Sequence, residues 1–205
     1  MRRLTAESTA RAQTALRRGD PAMQKLIRIN GTCPIYRARQ RPFNILAWSI
    51  INQQLSTKAA QTIAGRVLDL CGSRELSADG LLSVTRERLR AAGLSWRKVD
   101  YLHALAAAAD DGSLNFRQLA QWDDERVIER LMALPGIGAW TAQMYLMFAL
   151  RRADVFSPAD VGLQRATHEL YGLDGRPVGD AFEAFAERWR PWRTVASWYL
   201  WRHVD

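Results

Sequence analysis

An all-α fold is predicted by three observations. Apolar residues recur at three- and four-residue spacing in several separate stretches, the period of a helix that buries one face. The breaks between those stretches carry helix punctuation, with serines and aspartates at starts and glycines at stops. No alternating run of β-branched residues is long enough to build a sizeable sheet.

Taken along the chain, the first residues (about fifteen) are polar and are expected to fray. Ile45–Ile51 is strongly apolar and helical, and Asn52-Gln53-Gln54-Leu55 after it reads as a loop. Ser56 then caps a helix that begins near Thr57 and carries the Ala59–Leu70 periodicity. Arg88-Leu89-Arg90-Ala91-Ala92 ends at Gly93 as a helix C-terminus does, and Val99–Ala109 comes next. Asp123 or Asp124 starts the helix that runs through Val127–Leu134. Pro135 stops it, because proline disfavours α geometry at Leu134 and has no N–H to donate. Gly136 and Gly138 permit positive φ or close approach in the turn, and from Trp140 to Leu150 an apolar helix resumes. Asp160, just past Pro158, precedes Val161, Leu163, Ala166, Thr167 and Leu170, an apolar face of helical period. Gly172–Gly179, with three glycines and a proline, is a loop, and Phe182–Trp189 is periodic again.

With 205 residues and 48% hydrophobic content, the chain can bury a substantial core as one domain or two closely joined lobes. Its net charge of +8 fits a polyanionic partner, and equally a soluble protein that is merely basic. Apart from Lys25, Lys58 and Lys98 the basic residues are arginines, which suit bidentate phosphate contacts. Two cysteines, Cys33 and Cys71, give neither a disulfide framework nor a CxxC metal site. His103, His168 and His203 show no metal-ligand spacing. The residues after Met1-Arg2-Arg3-Leu4 are too polar for a signal-peptide core, and no apolar run approaches the length of a membrane span. A cytosolic, metal-independent protein without a membrane partner is expected.

Two elements carry candidate chemistry. Leu134-Pro135-Gly136-Ile137-Gly138-Ala139-Trp140-Thr141-Ala142 forms a helix, a tight hairpin and a helix. Unpaired N–H groups at the second helix's start can bind one phosphate without reading sequence. An ordinary turn between packed helices has the same signature. Asp160 reads as an N-cap or as an acid for chemistry; the two are compatible, because a helix N-terminus favours negative charge.

Leu134–Ala142 resembles the helix-hairpin-helix of the base-excision DNA glycosylase superfamily. With Asp160 at the family's distance, the chain is similar to the 3-methyladenine DNA glycosylase II branch, the AlkA type. Ser49-Ile50-Ile51-Asn52-Gln53-Gln54-Leu55-Ser56-Thr57-Lys58-Ala59-Ala60 is similar to that family's Gln-rich segment. Glu187-Arg188-Trp189-Arg190-Pro191-Trp192-Arg193, with Trp198 and Trp201, resembles its Trp-rich ending. The similarity extends from about Asp20 to His203. It implies two helical lobes, approximately 1–42 with 153–205 and approximately 43–152, and a DNA/base cleft between them. It also implies a short form without the β-rich N-terminal domain that AlkA-type proteins often carry. The implied partner is double-stranded DNA with damaged bases, bound by a monomer. No cofactor is implied, although family members sometimes hold an alkali ion bridging the hairpin and a DNA phosphate.

The resemblance assigns catalysis to Asp160. An N3- or N7-alkylated purine already carries positive charge and departs with little help from an acid. One fixed anion can then stabilise the cationic sugar and orient a water. Trp140 and Trp201 are implied walls of the base pocket, where a cationic base stacks on aromatic faces; any one of the eight tryptophans taken alone reads as core. Tyr145 is a weaker wall, since the aromatic of some relatives aligns with Met144. Gln54 aligns with the side chain that relatives insert where the flipped nucleotide stood, and Gln53 is expected at the minor groove; without the family both read as a solvated turn. Leu134, Gly136, Ile137, Gly138 and Thr141 are expected to contact the DNA backbone. Trp140 occupies the place where bifunctional relatives carry a lysine nucleophile, and none of the three lysines lies near the hairpin or Asp160, so no lyase step is expected. The four-cysteine cluster of some relatives is also missing. Two alternatives stand beside this reading: a glycosylase for another damaged base, such as hypoxanthine or ethenoadenine, and a non-catalytic helix-hairpin-helix binder, which has no need of the acid at 160.

Overall fold

The computed structural model describes residues 2–37 and 41–204, and its regular elements are helical. In chain order they are α1 (Ala6–Gly19), α2 (Pro21–Asn30), α3 (Pro42–Asn52), α4 (Thr57–Leu70), α5 (Ala78–Leu82), α6 (Arg86–Ala91), α7 (Trp96–Asp110), α8 (Phe116–Leu119), α9 (Asp124–Met132), α10 (Ala139–Met144), α11 (Val161–Tyr171), α12 (Gly179–Ala186) and α13 (Arg193–Val204). Among the described residues, β pairing is limited to an isolated bridge between Arg3 and Arg152. No helix among them is long and apolar enough to cross a membrane. The chain divides into two compact units, one of residues 1–39 with 146–205 and one of residues 40–145.

In the first unit α13 is the central helix. Arg193, Thr194, Val195, Ala196, Ser197, Tyr199 and Leu200 are all buried, so it is enclosed on nearly every side by α1, α2 and α11. Its apolar neighbours include Met23, Ile27, Leu163, Phe182 and Trp189. The second crossing of the chain between units falls after Tyr145, ahead of the expected position at 152, because Phe148 already packs against this unit's core.

From Leu4 onward the N-terminal segment is tied down and not frayed. Thr5 and Ser8 form a capping box at the head of α1, the Leu4 N–H donates to the Arg151 carbonyl at 2.7 Å, and Leu4, Ala12 and Leu16 join the core. The polar composition hid a short apolar stripe.

Asp20 organises the same unit. It caps α2 by accepting from the N–H groups of Ala22 (2.9 Å) and Met23 (3.2 Å), with Pro21 at the helix's first position. Its other oxygen accepts from the Tyr171 hydroxyl at 2.6 Å and the Trp189 indole N–H at 3.1 Å. Burial, then the bond to Asp20, pushes the Tyr171 hydroxyl well above its ordinary pKa. Asp20→Ala removes a cap and strands the buried Trp189 donor and the half-buried Tyr171 hydroxyl, so a loss of about 3–5 kcal/mol is expected. Chemical denaturation of the variant against wild type checks this; a loss of under about 1 kcal/mol would contradict it.

In the second unit α3 and α7 bury Ile45, Leu46, Ile50, Ile51, Val99, Leu102, Leu105 and Ala106, and α5 packs on α7. Caps fall where the sequence places them: Ser56 accepts from Ala59 N–H at the head of α4, and Asp123 from Arg126 N–H at the head of α9. Gly93 sits at φ +111° against Ile63. The helix expected from Trp140 to Leu150 is not uniform: α10 gives way at Tyr145 to a π-helical turn, Tyr145–Ala149.

Candidate functional site

The hairpin between α9 and α10 is built on two glycines with different tasks. Gly136 has φ +81°, and a Cβ there would lie 2.2 to 2.8 Å from three ring atoms of Tyr101. Only glycine fits both the dihedral and the space. Gly138 has φ −99° and nothing within 4 Å of its would-be Cβ. Of the two expected uses, Gly136 shows the positive φ and Gly138 the open approach. As N-cap of α10, Gly138 supplies no capping side chain to that helix's first N–H groups.

Leu134, Ile137 and Thr141 are buried anchors, and the Ile137 N–H donates to the Leu134 carbonyl at 3.2 Å to close the turn. This corrects the expected role of Ile137, whose amide is spent inside the hairpin. Leu134 and Ile137 shape the turn from within.

The Gln-rich loop lies against this hairpin in the same unit. Gln53 donates its side-chain amide to the Gly136 carbonyl at 2.7 Å, so that donor is committed within the protein and not to a groove of DNA. Gln54 is exposed and held at φ +56°, a region that non-glycine residues seldom occupy without outside constraint. Ser49, Asn52, Gln53 and Gln54 line an open depression together with Trp140, which is 40% exposed. Tyr145, the expected weaker wall, is instead fully buried at the start of the π-helical turn, with its ring 6.3 Å from that of Phe116.

Lys98, remote from the hairpin in sequence, reaches this loop. Its ammonium donates to the carbonyls of Ile51 (2.7 Å) and Gln53 (2.6 Å). The contact is with the Gln-rich loop, and it leaves the expectation about the hairpin and Asp160 as it stands. Neither Lys98 nor Tyr101 leaves a local signal in the sequence, since each acts across helices that only the fold brings together.

In the first unit Asp160 is the N-cap of α11 and is 8% exposed. Its Oδ1 accepts from the Leu163 N–H at 2.8 Å and from the Trp201 indole N–H at 3.0 Å. Two donors from different helices fix the carboxylate's direction. Trp201 is itself held by stacking on Phe148, ring centroids 6.0 Å apart at 30°. A Cβ at Gly162 would lie 3.1 Å from Asp160 Oδ1 and 3.3 Å from the Trp201 ring, so glycine leaves room for the pair. Beyond the wall role implied by resemblance, Trp201 orients the acid.

Residues 47–191 match the model of the HhH-GPD superfamily base excision DNA repair protein family. The chain belongs to that family. A putative DNA-3-methyladenine glycosylase of Bacillus subtilis, YfjP, is 31% identical over 80% of the chain, which spans 59% of that relative's length. A solved DNA-3-methyladenine glycosidase from Bacillus halodurans superposes with a TM-score of 0.79 at 37% identity, over 98% of this chain and 92% of that one. The Schizosaccharomyces pombe 3-methyladenine DNA glycosylase Mag1, solved in complex with abasic DNA, superposes with a TM-score of 0.81 at 29% identity, over 94% and 95%.

Proposed function

We propose that this chain is a monofunctional DNA glycosylase that hydrolyses the N-glycosidic bond of alkylated purines, of the 3-methyladenine and 7-methylguanine class, after base flipping, and leaves an abasic site. The observation that carries this reading is Asp160, a nearly buried carboxylate aimed by the Leu163 N–H and the Trp201 indole. A carboxylate so fixed needs no reorganisation when positive charge develops on the deoxyribose, which is where preorganised electrostatics act most strongly. The alkylated base leaves as a neutral molecule, so no second carboxylate is needed to protonate it. Trp140, partly exposed, supplies the aromatic ring for cation–π stacking with such a base. Gly138 keeps the head of α10 open to a phosphate. Gln54 is the side chain that takes the place of the flipped nucleotide, and the likeness to a glycosylase solved on abasic DNA supports double-stranded DNA as the partner.

Water is the nucleophile in this reading. Lys98, which reaches the loop that Gln53 joins to the hairpin, is an ammonium pinned between two carbonyls, a donor with no electron pair to attack a sugar. Incubation with a duplex holding one 7-methylguanine is expected to release the free base and leave the strand whole until alkali is added. Enzyme-dependent nicking, or a covalent complex trapped by borohydride, would contradict the hydrolytic assignment. Release of hypoxanthine or ethenoadenine with 7-methylguanine untouched would replace the substrate class.

A further inference from the structure

We infer that Lys98 is a positioning residue for the DNA-inserting loop: by gripping the main chain on either side of Asn52, it holds Gln54 in the left-handed conformation from which that side chain enters the duplex. The inference rests on the glycosylase reading and deepens it.

Gln54 at φ +56° is a strained position, and such positions persist only where the surroundings over-determine them. Three restraints converge on it. The Leu55 N–H closes a turn on the Asn52 carbonyl at 3.2 Å. Gln53 clamps the loop to the hairpin through the Gly136 carbonyl. Lys98 Nζ bridges the carbonyls of Ile51 and Gln53. Of these three, the last alone is charged. It answers a need that α3 cannot meet, because no basic residue lies in that helix's own last turn to complement its carbonyl end. Lys98 comes instead from the first turn of α7, where its backbone N–H also takes the Ser95 cap. Partial burial pushes the amine below its ordinary pKa, so the ammonium sits there at a cost that an apolar or amide side chain would avoid. What the charge adds is two short, charge-assisted bonds to the backbone of one loop.

The chain of contacts has a mechanical consequence. Lys98 holds the Gln53 main chain, and Gln53 holds the hairpin, so the wedge and the phosphate-binding turn move as one body within this unit. Loosening Lys98 should leave the hairpin's grip on DNA and remove the wedge's fixed aim.

The test uses a duplex with a tetrahydrofuran abasic analogue and 2-aminopurine as the neighbouring base, whose fluorescence reports unstacking. Wild type is expected to bind and change the fluorescence at saturation. Lys98→Met is expected to bind within about threefold of wild type, since phosphate contacts are intact, and to lose most of the fluorescence change. Its single-turnover base release should slow by about tenfold or more, as misplacement of an aligning group does. Lys98→Arg, which keeps a cation with two donors, is expected to restore both. Should Lys98→Met melt early, Lys98→Gln carries the same comparison. A wild-type fluorescence change in the Met or Gln variant would overturn the inference. Parallel loss of affinity and fluorescence would also overturn it, making Lys98 a scaffold residue. Failure of the wild-type protein to bind the abasic duplex would instead remove the glycosylase reading itself.

Discussion

Gly136→Ala is expected to cripple the second unit. The added methyl would sit 2.2 Å from Tyr101 Cδ2 and 2.4 Å from Cγ, where an aromatic ring on α7 has no flexible end to withdraw. The φ of +81° adds a backbone penalty of about 1–2 kcal/mol, and overpacking adds about 1–3 kcal/mol more. A total of roughly 2–5 kcal/mol lowers the melting temperature by roughly 4–20 °C for a chain of this size. Because the Gly136 carbonyl receives the Gln53 amide, the strain also reaches the Gln-rich loop. Affinity for duplex DNA should fall for every sequence alike, as phosphate contacts demand. Gly138→Ala is the control. With open space and ordinary φ it should keep stability within about 0.5 kcal/mol while adding a methyl on the approach to the helix N-terminus. Equal destabilisation by the two substitutions, measured by thermal unfolding, would contradict the separate tasks assigned to the glycines.

Helical class, most caps and the local geometry of the hairpin and of Asp160 were legible in the sequence because they are local. Ser56, Asp123 and Asp160 cap the helices that their spacing announces, and the Pro135–Gly138 turn lies where its residues require. What was illegible depends on side chains meeting across helices. Tyr101 explains why position 136 must be glycine, yet the two are far apart in the chain. Trp201 was expected to present a face to a base; its additional bond to Asp160 arises only from α13 packing beside α11. Tyr145, already the weaker wall because the relatives' aromatic aligns with Met144, is fully buried at the start of the π-helical turn, and no local pattern in the chain announces that burial. Gln53, a polar residue in a loop, read as solvent- or DNA-facing, and no pattern in the chain announces its bond to the hairpin.

Asp160→Asn is expected to abolish most activity while sparing the fold. Asparagine keeps a side-chain oxygen for the Leu163 and Trp201 donors, so the cap survives and stability should change by no more than about 1 kcal/mol. What disappears is the negative charge, the only thing a neutral isostere cannot supply to a cationic sugar. Loss of one preorganised electrostatic group typically lowers turnover by about a hundredfold to a thousandfold. In the proposed reading, binding to product-like DNA rests on the hairpin and Gln54, so it should persist. A non-catalytic binder would show no difference between the two proteins in any of these measurements.

The decisive measurement is the single-turnover rate of 7-methylguanine release by wild type and Asp160→Asn, with affinity for an abasic-analogue duplex determined in parallel. A rate lower by about a hundredfold or more, at an affinity within about threefold, is the expected result. Release by Asp160→Asn at the wild-type rate would show that the fixed carboxylate is not what breaks the glycosidic bond.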